Sequence, residues 1–531
     1  MKPTLKDVES HLQAGRFAEA EQTASKLAVD PYTKLAILAS IATKQGEHQR
    51  AEVLFQKVLA AKPDHALANA NYAKLLIAQR KFKAALKYAE IAHRSSPKEE
   101  HLALAYVQCL ADADRFADAV TVLSPFVERE APTLGAMVSL SSVHRANLNP
   151  RAALEILTKA LDNYSDDVEL QRALADVYAE LDPAEANERF QALEGKTDNP
   201  QLTWNRSFVE LRLQKFDIAW DHYEAGLSEK IGKIGRPLPA QLKGLPVVTG
   251  FEACDKEKWT LFSAEQGLGD QILFLSCLTE ALEITPKAAY IGEDRMLPIM
   301  RRSFPDIECF PYAFALNLEK QTDRLNGIFP TGSLPKTFRR TIESFSRTKV
   351  PYLLPNEETV TKYRERIKAH VGDRRLIGIS WRGGFWERQR RTKSFELSMF
   401  ARLMRDPNIY FICLQYGDVT EEKKFRKEHN LPMFFVDGID FKKDIDNWFA
   451  LICACDGIIS VSTAAVHFAA AAGKPVDLVL GDGQSPFVWG TQDGPSLAYP
   501  TVKIHRKKQQ EATETYFDRI RGNAQCLYTA I

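Results

Sequence analysis

The sequence predicts an α-helical solenoid followed by an α/β region made of two nucleotide-fold-like halves, and three observations carry that expectation. Alanines recur at near-constant spacing through the first 230 residues. From Trp259 onward that period gives way to short β-branched apolar runs alternating with turns and helix-compatible stretches. Residues 457–475, GIISVSTAAVHFAAAAGKP, place a buried strand, a polar turn and a small-residue helix in immediate succession. Such a junction binds ligands in α/β proteins.

The repeat comes first in the chain. Ala20, Ala51, Ala85, Ala119, Ala152, Ala186 and Ala219 are separated by 31, 34, 34, 33, 34 and 33 residues. Three positions earlier stand Phe17, Phe82, Phe116 and Phe216, replaced by His48, Asn149 and Pro183 in the other units. Prolines close several units at Pro31, Pro63, Pro97 and Pro132. Two helices approach closely only where a small side chain stands at their crossing, with the aromatic filling the gap beside it. This pattern resembles the tetratricopeptide repeat, a helix-turn-helix unit whose stacked copies form a groove that holds a peptide or a protein. Asn69, Asn71, Tyr72, Tyr106 and Gln108, in first helices, are the groove candidates, and a purely structural spacer is the alternative. In the last unit Trp220 and Tyr223 share one helical side and are expected to pack against the next domain.

Composition sets the boundaries. Residues 1–230 form the repeat array, 231–249 a glycine- and proline-containing linker, 250–350 the first α/β half and 351–531 the second, entered through KVPYLLPN. WTLFSAEQGLGDQILFLSCLTEAL reads as strand, glycine turn, then helix, and further strands are expected in AAYIGE, IECFP and GIFPTG, then in RLIGISW, IYFICLQYG, MFFVDG, GIISVS and PVDLVLG. Ligands of open α/β sheets sit beyond the carboxyl ends of strands, so two facing halves put a substrate cleft between them.

Composition also excludes several classes. Seventy basic residues balance sixty-nine acidic ones for a net charge of +1, which gives no global case for nucleic acid or an anionic membrane. No apolar run reaches membrane-spanning length, and MKPTLKDVESHLQAGR lacks the apolar core of a signal peptide, so a cytoplasmic location is expected. Cys109, Cys254, Cys277, Cys309, Cys413, Cys453, Cys455 and Cys526 lack paired spacing and read as reduced, mostly buried thiols.

The strand-end loops hold the candidate chemistry. Gly267 and Gly269 permit a tight turn before Asp270, which reads either as a helix N-cap or as a catalytic carboxylate. After the strand RLIGIS come Arg382, Gly383 and Gly384, then Arg388, Arg390, Arg391 and Lys393, a run suited to a phosphorylated donor or simply a solvated basic loop. Gln415 ends the next strand. Ser462 and Thr463 open the Ala464 helix, where hydroxyls cap free N–H groups or the N-terminus holds an anion, and His467 lies one turn in on the same face as Thr463. Asp444 and Asp446 read as a helix-start pair rather than a metal-binding pair.

GLGDQILF, the DFKKDIDNWFALICACDGIISVSTAAVHFAAAAGKPV stretch and SPFVWG resemble the bacterial family 9, heptosyltransferase-type glycosyltransferases, and more closely the multidomain proteins that join tetratricopeptide repeats to such a domain. The resemblance implies the GT-B fold, inversion at the anomeric carbon, no cofactor, and no metal held by a D-x-D site. It implies Asp270 as the base, and Thr463, Ala464 and His467 as the match to the donor-binding D-T-A-x-x-H pattern, followed by Lys474 and Pro475. Ser462 stands where the family commonly places aspartate, which removes a charge beside the donor and sets a heptose donor in question. Lys393 falls near a basic position of the family. Gly267, Gly269, Arg382, Gln415 and Ser462 complete the donor-binding candidates. The implied function is transfer of a sugar from a nucleotide-activated donor to hydroxyls of a protein recruited by the repeats, with flagellin as the sharpest acceptor guess. A non-catalytic scaffold and a glycan or lipopolysaccharide-core transferase are the competing readings.

Overall fold

The computed structural model describes residues 3–79, 81–232, 235–318, 322–383, 393–481, 486–508 and 510–528. The chain forms two compact units, Met1–Val177 and Tyr178–Ile531.

The first unit is a run of antiparallel helix pairs, from Leu5–Gln13 with Phe17–Ser25 to Leu134–Ala146 with Pro150–Tyr164. In four of these pairs the turn places one residue in the left-handed region two positions before the second helix. Gly15 and Gly46 supply it without strain, and Asp114 and Leu148 adopt it at φ 57° and 62°. The repeated alanines sit at the crossings: Ala20, Ala51, Ala85 and Ala119 are fully buried. One unit corrects the sequence register. Its second helix starts at Pro150 behind an Asn149 N-cap, so Ala153 takes the crossing and is fully buried while Ala152 is only half-buried. Pro31 opens a helix, with Asp30 accepting from the Tyr32 and Thr33 N–H groups. Asn69, Tyr72 and Tyr106 are core residues rather than groove residues. Gln108, in contrast, helps line a cavity of about 550 Å³ with Lys74, Ile77, Leu104, Ser139 and Ser142, all on first helices of three successive units.

The second unit opens with further repeat helices, Pro183–Ala192, Pro200–Arg212 and Phe216–Tyr223, and continues into two sheets. Ala186 and Ala219 are fully buried at their crossings, and Gln214 takes the left-handed turn position at φ 59°. The first sheet holds β1 (Trp259–Ser263), β2 (Ala288–Gly292), β3 (Glu308–Pro311) and β4 (Leu325–Pro330), all parallel, in the order β3-β2-β1-β4. The second holds β5 (Arg375–Ser380), β6 (Ile409–Cys413), β7 (Met433–Phe434), β8 (Gly457–Val461), β9 (Val476–Leu480), β10 (Gly494–Pro495) and β11 (Val502–Arg506). Its order, β10-β11-β9-β8-β5-β6-β7, is parallel except for the β10 edge and repeats the doubly wound Rossmann arrangement. Sequence periodicity missed β10 and β11, because VKIHR interleaves charge with apolar residues where other strands are continuous runs.

Trp220 and Tyr223 pack as expected. The Trp220 Nε1–H donates to the Arg339 carbonyl at 2.8 Å, and the Gln266 amide donates to the Tyr223 hydroxyl at 2.7 Å. All eight cysteines are free thiols, seven of them buried.

Candidate functional site at the facing strand ends

In each sheet the strand order reverses beside its first strand, between β1 and β4 and between β5 and β8, and the loops there define two crevices. In the first half β1 runs into Glu265, Gln266 in the left-handed region, and the helix Leu268–Leu275. Gly267 is the N-cap, so Asp270 is the third helical residue and not the cap. Its carboxylate folds back toward Gly267, where an added Cβ would stand 3.2 Å from Oδ2. Burial, with Glu265 nearby, raises its pKa above the ordinary carboxylate value, and the Gly267 backbone and Lys393 pull it back down.

In the second half β8 runs into Ser462, Thr463 and the helix Ala464–Ala471. Thr463 is the N-cap by backbone geometry, yet its side chain makes no capping bond. The hydroxyl lies 3.3 Å from Ser460 Oγ instead, and Ser460 itself donates to the Val461 carbonyl. Ser462 Oγ accepts from Trp489 Nε1 at 2.9 Å. Capping by the hydroxyl pair is therefore not what the turn does, and among the described residues the first N–H groups of this helix have no side-chain partner.

The two helix starts meet. A Cβ placed on Gly269 would lie 2.9 Å from His467 Cδ2, so the absent side chain lets the imidazole rest on the first turn of the opposing helix. Gly383, at the end of the β5 loop, is equally close: a Cβ there would stand 2.9 Å from the Ser462 carbonyl, 3.5 Å from Thr463 and 3.6 Å from the Lys393 Cβ. Burial lowers the Lys393 pKa while Asp270 raises it. His467 is buried among Trp489 and Tyr499, with its pKa lowered to about 3 by desolvation and then by Lys393, so it is neutral.

The crevice thus brings together Asp270, Gly267, Gly269, Gly383, Lys393, Thr463, Ala464 and His467. Two sequence candidates are occupied elsewhere. Gln415 is a clasp: its Oε1 accepts from Ser380 Oγ and from the Trp381 and Arg382 N–H groups, and its Nε2 donates to the Arg382 and Tyr416 carbonyls. The Arg382 guanidinium pairs with Glu422 at 2.9 Å and donates to the Asp418 carbonyl. Gly384, Arg388, Arg390 and Arg391 lie outside the described residues. Asp444 caps the helix Ile445–Ala454 and Asp446 pairs with Arg302, as befits a helix start. Tyr352, Tyr499 and the Arg236–Glu265 pair escaped sequence reasoning because each acts through a contact distant in the chain and carries no local motif.

Behind the crevice lies a cavity of about 480 Å³ bounded by Phe216 and Trp220 of the last repeat helix, Phe274, Arg339, Phe487 and Trp489.

A tetratricopeptide-repeat family model matches residues 42–90. The chain thus carries a tetratricopeptide-repeat match within its helical pairs and continues into an α/β region of two Rossmann-like sheets. Over 96% of its length it is similar to Protein FlbA of Caulobacter vibrioides, with 24% identity across 540 residues and 87% of that protein. Among solved structures it is similar to ADP-heptose lps heptosyltransferase II of E. coli, at 15% identity and a TM-score of 0.36, over 50% of this chain and 98% of that one. It is likewise similar to a glycosyl transferase family 9 structure from Veillonella parvula DSM 2008, at 12% identity and a TM-score of 0.36, over 48% of this chain and 88% of that one.

Proposed function

We propose that the protein is a GT-B, inverting glycosyltransferase that moves a sugar from a nucleotide-activated donor to a hydroxyl of a protein acceptor. One observation carries the reading: the Asp270 carboxylate, the side-chain-uncapped start of the Ala464 helix and the Lys393 ammonium share a single crevice between two Rossmann-like halves. The acceptor oxygen attacks the anomeric carbon as its proton passes to Asp270, and the bond from that carbon to the phosphate oxygen breaks with inversion. The departing diphosphate carries the negative charge, which Lys393, Thr463 and the helix N-terminus stabilise without requiring a metal. The first-helix cavity around Gln108 supports a role for the repeats in holding an extended acceptor segment. Flagellin is the acceptor to test first and the cytoplasm the compartment, with 1–230, 231–249, 250–350 and 351–531 as the working boundaries.

The test is intact-mass measurement of flagellin and other abundant proteins from cells with and without this gene. A sugar mass lost with the gene identifies donor and acceptor together. Unchanged masses throughout, with no nucleotide sugar binding the full chain, would leave the adaptor reading, which the internal engagement of Arg382 and Gln415 favours.

A further inference from the structure

Gln266 turns the chain between β1 and the helix that bears Asp270, and it does so at φ 62°, a conformation that glycine adopts freely and other residues resist. Its neighbour is a glycine, yet Gly267 lies at φ −81°. The glutamine side chain accounts for the choice. Gln266 Nε2 donates to the Tyr223 hydroxyl at 2.7 Å, and Tyr223 is fully buried. The residue before is fixed separately: Arg236 and the Gly332 N–H occupy both oxygens of Glu265 at 2.6 to 2.9 Å. The two anchors are tied to one another, because the Arg236 guanidinium lies 4.7 Å from the centre of the Tyr223 ring. Tyr223, Arg236, Glu265 and Gln266 thus form a closed circuit that enters the sheet from the last repeat helix, Phe216–Tyr223. The Tyr223 ring also meets Phe274, on the Asp270 helix, edge-on with centroids 6.2 Å apart.

Asp270 stands in the first turn of its helix, so its carboxylate points where the backbone of 265–267 directs it. Glu265 is held by Arg236, which leaves Gln266 as the joint that decides the direction. Without its amide anchor Gln266 would return to the right-handed or extended region, and either one redirects Gly267 and the helix start. A displacement of about 1 Å costs on the order of a hundredfold in rate. We propose that Tyr223 is a positioning residue for the transfer step: it holds Gln266 in the left-handed region and through it aims the Asp270 carboxylate at the acceptor hydroxyl. The last repeat helix is then part of the scaffold of the reaction centre as well as of the solenoid. The task given to Asp270 rests on the glycosyl-transfer reading; the clamp on its loop does not.

The experiment is a double-mutant cycle in the full chain. Tyr223→Phe keeps the ring against Arg236 and Phe274 and removes only the oxygen that Gln266 bonds. Its kcat should fall by about ten- to a hundredfold with the donor KM unchanged. Adding Gln266→Gly should recover most of that loss, because glycine takes a positive φ without an anchor. A purely packing role for Tyr223 predicts the same loss with glutamine or glycine at position 266, and that result would overturn the proposal. Full kcat in Tyr223→Phe alone would overturn it too. Hydrogen exchange reads the clamp apart from catalysis: the Gln271 N–H, bonded to the Gly267 carbonyl at 3.0 Å, should exchange about tenfold faster in Tyr223→Phe. Unchanged exchange overturns the clamp. Wild-type protein that transfers to no hydroxyl acceptor overturns the transfer reading alone, since exchange still decides whether Tyr223 holds the loop.

Discussion

The two halves share a strand order but treat the crevice at its reversal in opposite ways. In the first half the crevice between β1 and β4 is filled from within: Glu265 accepts from the Gly332 N–H at 2.8 Å and from Arg236 at 2.6 and 2.9 Å, all buried. A carboxylate already occupies the place where a phosphate would meet backbone N–H groups. In the second half the crevice between β5 and β8 is lined by Gly383, Thr463 and Lys393, and the helix start there keeps its N–H groups. The same architecture therefore gives one self-satisfied site and one that favours an anion. On the transfer reading, the diphosphate belongs to the second half and the first half supplies the base.

The contrast between the halves can be broken most strongly at Asp270. Asp270→Asn should lower kcat by about two to four orders of magnitude while donor affinity is retained, as measured by single-turnover transfer and calorimetry. Because burial raises the folded-state pKa of this carboxyl, the folded chain binds the proton more tightly than the unfolded one. Its contribution to stability therefore falls as pH rises from the ordinary carboxylate pKa through the raised one. Asn should accordingly be as stable as Asp at neutral pH, or slightly more so, by thermal melting. The acid limb of kcat/KM should lie above the ordinary carboxylate range.

Glu265→Ala should cost about 3 to 5 kcal/mol in chemical denaturation, because it strands the Arg236 guanidinium in the interior. Unchanged stability would mean that the first crevice is not internally neutralised. Lys393→Met should weaken nucleotide-sugar affinity by roughly ten- to a hundredfold, the value of a hydrogen bond to a charged group. It should also move the acid limb further upward, since the cation that pulls the Asp270 pKa down is gone. Equal affinity would send the diphosphate elsewhere. Gly269→Ala should cost about 1 to 3 kcal/mol of stability or transition-state binding as His467 is pushed aside. Ser462→Ala, which removes only the acceptor for Trp489 Nε1, should cost about 1 kcal/mol.

Much of this was legible in the residues. Alanine spacing located the helix pairs, and the β-branched runs located nine strands in both sheets. Asp270, Thr463 and His467 could be placed at strand ends because strand-turn-helix junctions are local. The one-residue slip at Ala152 was not legible, since AlaAla at 152–153 offers two equivalent small residues and only the Pro150 helix start chooses between them. Thr463 looked like a side-chain cap, but its hydroxyl is drawn to Ser460, a choice that depends on β8 geometry. Arg382 and Gln415 looked like ligands for the donor because their partners, Glu422 and the loop backbone, come together only through the turn after β6.

The Arg236–Glu265 pair also bears on how the molecule can be divided. Arg236 belongs to the linker and is itself held by Glu224 and by the ring of Tyr223 from the last repeat helix, while Gly226 makes room for the Trp204 indole. A truncated chain begun at residue 250 would discard the partner of an interior carboxylate and uncover an aromatic surface at the same stroke. Any portable version, to be grafted onto other helical arrays for retargeting, has to be cut upstream of Trp204 and carry its terminal hairpin with it.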